Sequence, residues 1–446
     1  MVSKKQKGDS DRWIFYGFLA VLVWAPLPFA SNTPWLSSLL GLSIFVLAFW
    51  WLVENIRGKV NVSTTLKLSL LPITLLLLWL CLLIFQLIFS TTTSPFISSD
   101  FLLRSVALTT FFILALVLIR SRRRLKLLAW TIILSGAFQA FYGSVMTLSG
   151  MEYGFFVEKD YYREVATGTF VNRNHLAGYL EMSLAVGIGL LLAELSENTA
   201  LTLKQKIRNT IQWVLSHKMQ LRVLLAVMVV GLVLTHSRMG NSAFFISLIV
   251  SGVLWLMLEQ KKPKRGVIFL LTTLFVIDVA IVGSWFGIEK VAERLEQTSA
   301  MSESRDEVVR DSLVYLDDFI LTGSGSGTFQ FVFPHYRGAD IGLDYDYAHN
   351  DYIQFAVETG LIGLFLLAML VIMTMIQSLR LMRKGTYSLH RGMAFASFMA
   401  MLALMIHSSV DFNLQIPANA LLFMVILSLP WIGETKKSSP KDSTSF

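Results

Sequence analysis

The sequence predicts an all-α protein that crosses a membrane about twelve times. Of its 446 residues, 54% are hydrophobic and only 15% are charged, whereas soluble domains carry roughly 25% charged residues. Apolar runs of about 20 residues, enough to cross the hydrocarbon core as a helix, recur along the chain. This pattern excludes a soluble enzyme, a disordered chain and a β-barrel, whose strands are shorter and alternate. The single cysteine, Cys81, excludes an intramolecular disulfide.

Twelve apolar runs are predicted to be the transmembrane helices. They cover about residues 13–30, 35–53, 68–90, 101–119, 127–148, 174–194, 221–236, 241–259, 267–287, 351–378, 392–410 and 416–433. The first run lacks a small-residue cleavage site, so we expect it to be retained as a helix rather than removed as a signal peptide.

The lysines and arginines predict how these helices are oriented. If the N-terminus lies in the cytoplasm, most of the 38 basic residues fall in the N-terminal segment, in alternate loops and in the C-terminal tail. Cytoplasmic segments are the ones enriched in Lys and Arg. Both termini are therefore expected to be cytoplasmic. The net charge of +8 is a topology signal, and a nucleic-acid partner is not expected.

The predicted helices divide the chain into four parts. These are residues 1–126, with the first four spans and a basic inner loop; 127–287, with spans five to nine and an outer loop at 149–173; 288–350, a large outer loop; and 351–446, with the last three spans and a tail. The large loop opens with an amphipathic stretch and is expected to be partly helical. Loops of this length are usually functional.

Two basic residues at predicted outer turns are candidates for binding an anion. Arg173 lies between Asn172 and Asn174, and Arg238 follows Ser237 in a very short turn. The topology rule disfavours basic residues on this side. Each arginine could reach lipid headgroups or form a two-pronged contact with a lipid-borne phosphate.

A third arginine lies in the amphipathic stretch of the large loop. Arg305 has no carboxylate three or four residues away, whereas Arg310 follows Asp306 by four residues, the order that favours an ion pair on a helix. Arg305 is therefore the better candidate for meeting a ligand.

His349, at the end of the large loop, is the candidate for acid–base chemistry. Its unperturbed pKa of about 6.5 suits proton transfer near neutral pH. A structural histidine at the membrane surface and a metal site shared with Asp340, Asp344 and Asp346 remain alternatives.

Three further features stand near predicted helix ends. His407 and Asp411 are four residues apart, so a helix would place them on one face, where they could pair or line a cavity. Asn350 precedes a span. The stretch Gly323–Gly327 lacks the GK[ST] ending of a phosphate-binding P-loop and is predicted to be a flexible turn.

Taken in order, these motifs resemble the O-antigen ligase and O-antigen polymerase superfamily. The motifs are GTFVNRNHLA at 168–177, the Ser237-Arg238 turn, GSGSGTF at 323–329, AHNDYIQ at 348–354, ETGLIG at 358–363 and the segment from His407 to Pro417. The resemblance covers about residues 130–430, and the first spans match only in being hydrophobic.

The resemblance implies a glycosyltransferase of the bacterial inner membrane whose active site lies on the periplasmic side. Members of the superfamily move a glycan from undecaprenyl diphosphate to an acceptor. The implied reaction is inverting and metal-independent, and it uses no cofactor. The implied partners are the lipid-linked donor, the glycan or protein acceptor and membrane lipids.

The resemblance also implies roles for individual residues. His349 matches the histidine proposed as general base, and Arg173, Arg238 and Arg305 match arginines that hold the diphosphate. Supporting roles are expected for Asn172, Asn174, Ser237, Asn350, His407 and Asp411.

Several functions share these motifs and remain open at the level of sequence. An O-antigen ligase that acts on lipid A-core is expected first, with a polymerase or a protein O-oligosaccharyltransferase as alternatives. A lipid-linked glycan flippase or other transporter is an alternative of another class, although no internal repeat is visible. Whether His349 takes a proton or only orients the acceptor also remains open, as do the glycan, the acceptor and the oligomeric state.

Overall fold

The computed structural model describes residues 9–58, 65–89, 91–195, 217–258, 299–339, 341–342 and 344–432. The ninth predicted span, 267–287, lies outside these residues, as does the first part of the large loop. Within the described residues the regular secondary structure is helical, apart from one short hairpin. The predicted all-α class is confirmed.

The helices follow the order of the predicted spans. They are α1 Asp9–Trp24, α2 Pro34–Ile56, α3 Thr65–Leu68, α4 Leu70–Ile88, α5 Pro95–Leu118, α6 Arg122–Ser149, α7 Arg173–Leu195, α8 His217–Leu234, α9 Arg238–Leu258, α10 Ser299–Asp318, α11 Phe329–Val332, α12 Asp351–Lys384, α13 Ser388–His407 and α14 Pro417–Ser428. An antiparallel hairpin of β1 Tyr153–Gly154 and β2 Val157–Glu158 follows α6.

Eight of the described helices are long and apolar enough to cross a membrane. They are α2, α4, α5, α6, α7, α9, α12 and α13, while the apolar parts of α8 and α14 are shorter. The predicted polytopic membrane protein is confirmed. The predicted number of twelve spans remains a prediction.

Proline explains two differences between the predicted and observed helix ends. The first apolar run was predicted to continue to residue 30, but α1 ends at Trp24, because Pro26 and Pro28 cannot continue a helix. The fourth was predicted to begin at about residue 101, but α5 begins at Pro95. Proline is favoured in the first turn of a helix, so Ser94-Pro95 was a start signal that the hydrophobic pattern alone did not show.

Helix α7 lies at the centre of the bundle. Its whole apolar window is buried inside the protein, and α13 packs along it. Gly189 of α7 faces Gly392 of α13 so closely that a side chain on either would overlap the other's backbone oxygen. Small residues permit this kind of close approach between membrane helices.

Contacts between loops divide the bundle into two ends. At one end, the Ala166 amide donates to the Leu234 carbonyl at 2.8 Å and the Thr93 amide to the Ser324 carbonyl at 2.8 Å. We call this end, where the turns predicted to be outer meet, the loop end. At the opposite end, the basic end, Asp11 pairs with Arg124 at 2.7 Å. Loops predicted to share a membrane side therefore share an end of the structure.

The glycine-rich stretch 323–327 is part of a buried turn, so the prediction of a flexible turn was wrong. Glu358 of α12 accepts hydrogen bonds from the amides of Gly327 at 2.9 Å and Phe329 at 3.2 Å. Gln86 of α4 donates to the Thr322 carbonyl at 2.6 Å and accepts from the Ser326 amide at 3.2 Å. These amides are bonded within the protein, so the stretch is not arranged as a phosphate cradle.

Helix α12 is interrupted at Gly360 to receive this turn. Gly360 has φ 67° and ψ −178°, a conformation that is essentially restricted to glycine. The Leu361 amide then donates outside the helix, to the Ile320 carbonyl at 2.9 Å. A methyl group on Gly360 would overlap the carbonyl oxygen of Leu321.

We expect Gly360→Ala to lower the free energy of unfolding by about 1–3 kcal/mol, because both the backbone conformation and the space require glycine. Thermal unfolding of the detergent-purified protein measures the change. Gly342→Ala is the matched control, because Gly342 has open space at the Cβ position and no left-handed φ. Equal melting temperatures for the two variants would contradict the expectation.

Candidate functional site

Four segments meet at the loop end and carry most of the predicted site residues. Asn172, Arg173 and Asn174 lie at the start of α7, and Ser237 and Arg238 at the start of α9. His349 and Asn350 directly precede α12, His407 is the last residue of α13, and Asp411 lies in the turn 408–416 between α13 and α14. Arg305 belongs to α10, and its side chain lies outside the described residues.

Asp411 joins the turn 408–416 to the start of α7. One carboxylate oxygen accepts a hydrogen bond from the Asn174 side chain at 2.5 Å. The other accepts from the Phe412 amide at 2.8 Å and lies 3.5 Å from Nε2 of His175. Burial alone would raise the pKa of the Asp411 carboxyl, but the neighbouring His175, the charge of His407 and the Phe412 amide hold that pKa below its ordinary value.

The low pKa of Asp411 predicts how its contribution to stability depends on pH. A carboxyl whose pKa is lowered by folding stabilises the protein above its unfolded pKa, about 3.9, and loses that contribution as the pH falls through the folded value. We therefore expect the stability difference between wild type and Asp411→Asn to change little from pH 6 down to about 4 and to shrink below it. Denaturant unfolding in detergent at several pH values measures this difference. A difference that grows on acidification would contradict the assignment.

His407 pairs with Glu181 of α7, and its predicted placement on one helical face with Asp411 was wrong. Nδ1 of His407 lies 2.8 Å from Glu181 Oε1, and both side chains are at most 1% exposed. Helix α13 ends at His407, so Asp411 is not one helical turn further along the same face. Glu181 was missed, although a carboxylate within an apolar run signals a specific buried partner.

The ring of His349 is held by aromatic neighbours. Its centroid lies 4.8 Å from that of Phe412 and 5.8 Å from that of Tyr345, both edge to face. Phe412 also contacts His175 edge to face at 4.7 Å and stacks on Tyr347 at 4.4 Å. His349 itself is half-buried and has a left-handed φ of 49°. Such strained residues are found preferentially at functional sites.

Two side chains at the start of α12 fix the position of His349 relative to the turn 408–416. Asn350 caps the helix by accepting from the amides of Tyr352 at 3.0 Å and Ile353 at 3.2 Å, and it donates to the Ser409 carbonyl at 2.9 Å. Asp351 accepts from the Ser408 hydroxyl at 2.7 Å and the Leu414 amide at 3.1 Å. Asp351 was not among the predicted site residues, because a carboxylate in the first turn of a helix is common.

The metal-site alternative for His349 finds no support among the residues that the structure describes. Asp344 is bonded to Arg337 at 2.6 Å, Asp346 is exposed, and Asp340 lies outside the described residues. Within the described ranges, no group of three side chains from His, Cys, Asp and Glu is placed to share a metal ion.

Arg173 and Arg238 occupy equivalent places on two adjacent helices. Each is the first residue of its helix. The helices touch where Gly240 of α9 faces Ala177 of α7, since a Cβ on Gly240 would lie 2.7 Å from the Ala177 methyl. Arg173 is half-buried beside the ring of Tyr162, 5.9 Å from its centroid, and Arg238 is exposed. Helix N-termini favour negative charge, so this pair of ends can accept an anionic group.

Asparagines complete the link between α7 and the turn 408–416. Asn419 donates to the His175 carbonyl at 2.9 Å and to Asn413 at 3.0 Å. Asn413 packs directly against Gly178, so that a side chain at position 178 would overlap the Asn413 amide. His175, Asn413 and Asn419 were not among the predicted site residues, because no spacing in the sequence links these polar residues before the fold brings them together.

Comparison with known families finds a match within the second half of the chain. Residues 223–368 match the family model described as O-antigen ligase. This segment includes Ser237, Arg238, Arg305, His349 and Asn350. No curated protein matches the chain significantly. The match supports a multi-pass membrane enzyme of the ligase or polymerase type, which is glycosyltransferase-like and acts on lipid-linked glycans and their acceptors. Over residues 223–368 the predicted resemblance is thus confirmed.

Proposed function

We propose that this chain is a glycosyltransferase of the bacterial inner membrane that moves a glycan from undecaprenyl diphosphate to lipid A-core on the periplasmic face. The observation that carries the proposal is the family match over residues 223–368, which contains both His349 and Arg238. Within the structure, these residues lie at one end of the bundle together with Arg173.

The orientation of the proposed enzyme rests on its charges. Asp11, Arg124 and Lys126 lie at the basic end, and segments rich in Lys and Arg remain in the cytoplasm. The loop end then faces the periplasm. Both chain termini are placed in the cytoplasm by the same rule.

In the proposed reaction, His349 accepts the proton of an acceptor hydroxyl while the hydroxyl oxygen attacks the anomeric carbon of the donor. The bond from that carbon to the diphosphate oxygen breaks, and its electron pair leaves with undecaprenyl diphosphate. Attack from the face opposite the leaving group inverts the anomeric centre. General-base catalysis of this kind contributes about 10²- to 10⁴-fold to a rate.

The leaving group is stabilised by Arg173, Arg238 and Arg305 in this proposal. Arginine forms paired, charge-assisted hydrogen bonds with phosphate oxygens. Two of these arginines stand at helix N-termini, whose dipoles add to the effect. Preorganised positive groups of this kind can stabilise the charge of the departing diphosphate.

We therefore propose a reaction that needs neither a metal ion nor another cofactor. Full activity of the purified enzyme in a chelator is the expected result.

Reconstitution with three acceptors tests the proposal. Purified protein in detergent is given an undecaprenyl-diphosphate glycan together with lipid A-core, a second lipid-linked glycan or a protein acceptor. Transfer to lipid A-core alone is the expected outcome. Growth of the lipid-linked chain would replace the ligase with a polymerase, and transfer to protein would replace it with an oligosaccharyltransferase. If no acceptor is modified, the protein is reconstituted into vesicles, and donor translocation there would overturn the enzyme and favour a flippase.

A further inference from the structure

A cavity at the loop end has no part in the mechanism above. Its volume is about 490 Å³, and its walls include Thr147 of α6, Glu152, Arg163 and Glu164 of the loop after α6, and His236 of the turn between α8 and α9. Binding sites for small molecules have volumes of roughly 300–1,000 Å³. The cavity is therefore large enough for a ligand.

The loop wall of this cavity is fixed by a buried lysine. Lys159 is only 6% exposed, and its ammonium donates to Glu152 Oε2 at 2.8 Å and to the Val165 carbonyl at 3.0 Å. The second oxygen of Glu152 accepts from the Glu164 amide at 2.7 Å. The loop is thereby closed on itself, and its polar groups are held in place around the cavity.

Strained backbone is concentrated in the same walls. Glu152, Glu164 and His236 have φ values of 48°, 63° and 52°, and none of them is a glycine. Residues of this kind cluster at sites that bind ligands or do chemistry.

The charges of the cavity are largely balanced, which disfavours an ionic ligand. Glu152 is paired with Lys159 at 2.8 Å, and Arg163 is paired with Glu158 at 3.0 Å. The Glu164 carboxylate is exposed and can accept hydrogen bonds. The Thr147 hydroxyl, which has no partner among the residues that the structure describes and can both donate and accept, lines the same cavity, so together with Glu164 it offers the groups that a neutral polyhydroxylated ligand requires.

The cavity adjoins both arginine-bearing helix starts. His236, on its wall, lies two residues before Arg238. Tyr162, which precedes the wall residue Arg163, contacts Arg173 through its ring at 5.9 Å. A ligand in the cavity would thus lie beside the region where the proposed enzyme holds the diphosphate.

We propose that this cavity binds a neutral sugar residue of a substrate glycan. The inference rests on the proposed function, because only a glycan substrate would bring a sugar to this position. A sugar from the donor and one from the acceptor offer the same hydroxyl groups, so the cavity's chemistry suits either source. Binding here would orient one substrate against the other before transfer.

Saturation-transfer NMR with two soluble probes tests this proposal without requiring transfer. One probe is the oligosaccharide released from the donor lipid by mild acid, and the other is the delipidated core oligosaccharide. We expect saturation of one of them by the wild-type protein, and the probe that responds identifies the substrate concerned. Thr147→Phe, which fills the cavity, should reduce the signal at least tenfold, and Glu164→Gln should reduce it less. Thr131→Phe on the same helix, away from the cavity, is the control that should retain it.

The same variants separate this proposal from the proposed function. Equal signals from wild type and Thr147→Phe would overturn the sugar site, as would the absence of a signal with both probes. Normal transfer in either of those cases would still support the proposed glycosyltransferase activity. A sugar signal that Thr147→Phe abolishes, in a protein that transfers to no acceptor, would support the site and overturn the proposed enzyme.

Discussion

His349→Ala is expected to lower the rate of glycan transfer by about 10²- to 10⁴-fold, the range that a general base contributes. The imidazole stands half-buried between the rings of Phe412 and Tyr345, so the acceptor hydroxyl loses the group proposed to receive its proton. Binding of the donor should be retained, because the diphosphate is assigned to arginines. Single-turnover transfer and donor binding, measured on the same purified variant, check both statements.

His335→Ala is the matched control for this experiment. His335 is an exposed histidine of the same loop whose ring lies 3.3 Å from the Val332 carbonyl, away from the site. Near-normal transfer by His349→Ala would remove the general-base role. Near-normal transfer by His349→Gln, together with slow transfer by His349→Ala, would show that the side chain orients the acceptor instead.

The largest effect on stability is expected from breaking the pair of Glu181 and His407. Both side chains are almost fully buried, with 2.8 Å between their bonded atoms. Removing one partner of a buried ion pair leaves the other charge without compensation, at a cost of about 3–5 kcal/mol. We therefore expect His407→Leu to unfold at a much lower temperature than wild type in a detergent thermal-stability assay.

The double variant Glu181→Leu, His407→Leu should recover most of this loss. Replacing a whole buried pair by apolar residues of similar volume is often neutral or stabilising, and Asp411, which the charge of His407 also stabilises, keeps His175 and the Phe412 amide as partners. A double variant as unstable as His407→Leu would show that the loss comes from packing and that the pair adds little.

The fold class could be predicted because a membrane imposes a simple pattern on the sequence. A run such as 174–194 needs about 20 apolar residues whatever surrounds it, and α7 follows it closely. The helix ends were harder to predict, because they depend on local residues such as Pro26 and Pro95. The break at Gly360 was missed because an apolar run continues through it, and only the contact with Leu321 requires it.

Part of the candidate site could be singled out from the sequence because the topology rule disfavours certain residues there. Arg173 and Arg238 stood out because basic residues are disfavoured on the predicted outer side. Glu181, His175 and Asp351 could not be assigned, because their partners are distant in the sequence and each partner decides what the residue does. The prediction that His407 and Asp411 share a helical face was also wrong. Sequence spacing identifies neighbours on a helix but does not show where the helix ends.

The turn 408–416 has a consequence for the order in which the protein is made. This turn holds His349 through Phe412, and it holds the start of α7 through the bond between Asn174 and Asp411. A ribosome has already produced the arginines and His349 when it reaches the turn, but the segment that sets their spacing is still to come. The site therefore becomes complete only after the last helices are synthesised. A nascent or truncated chain therefore holds His349 and the arginines without the arrangement proposed to use them.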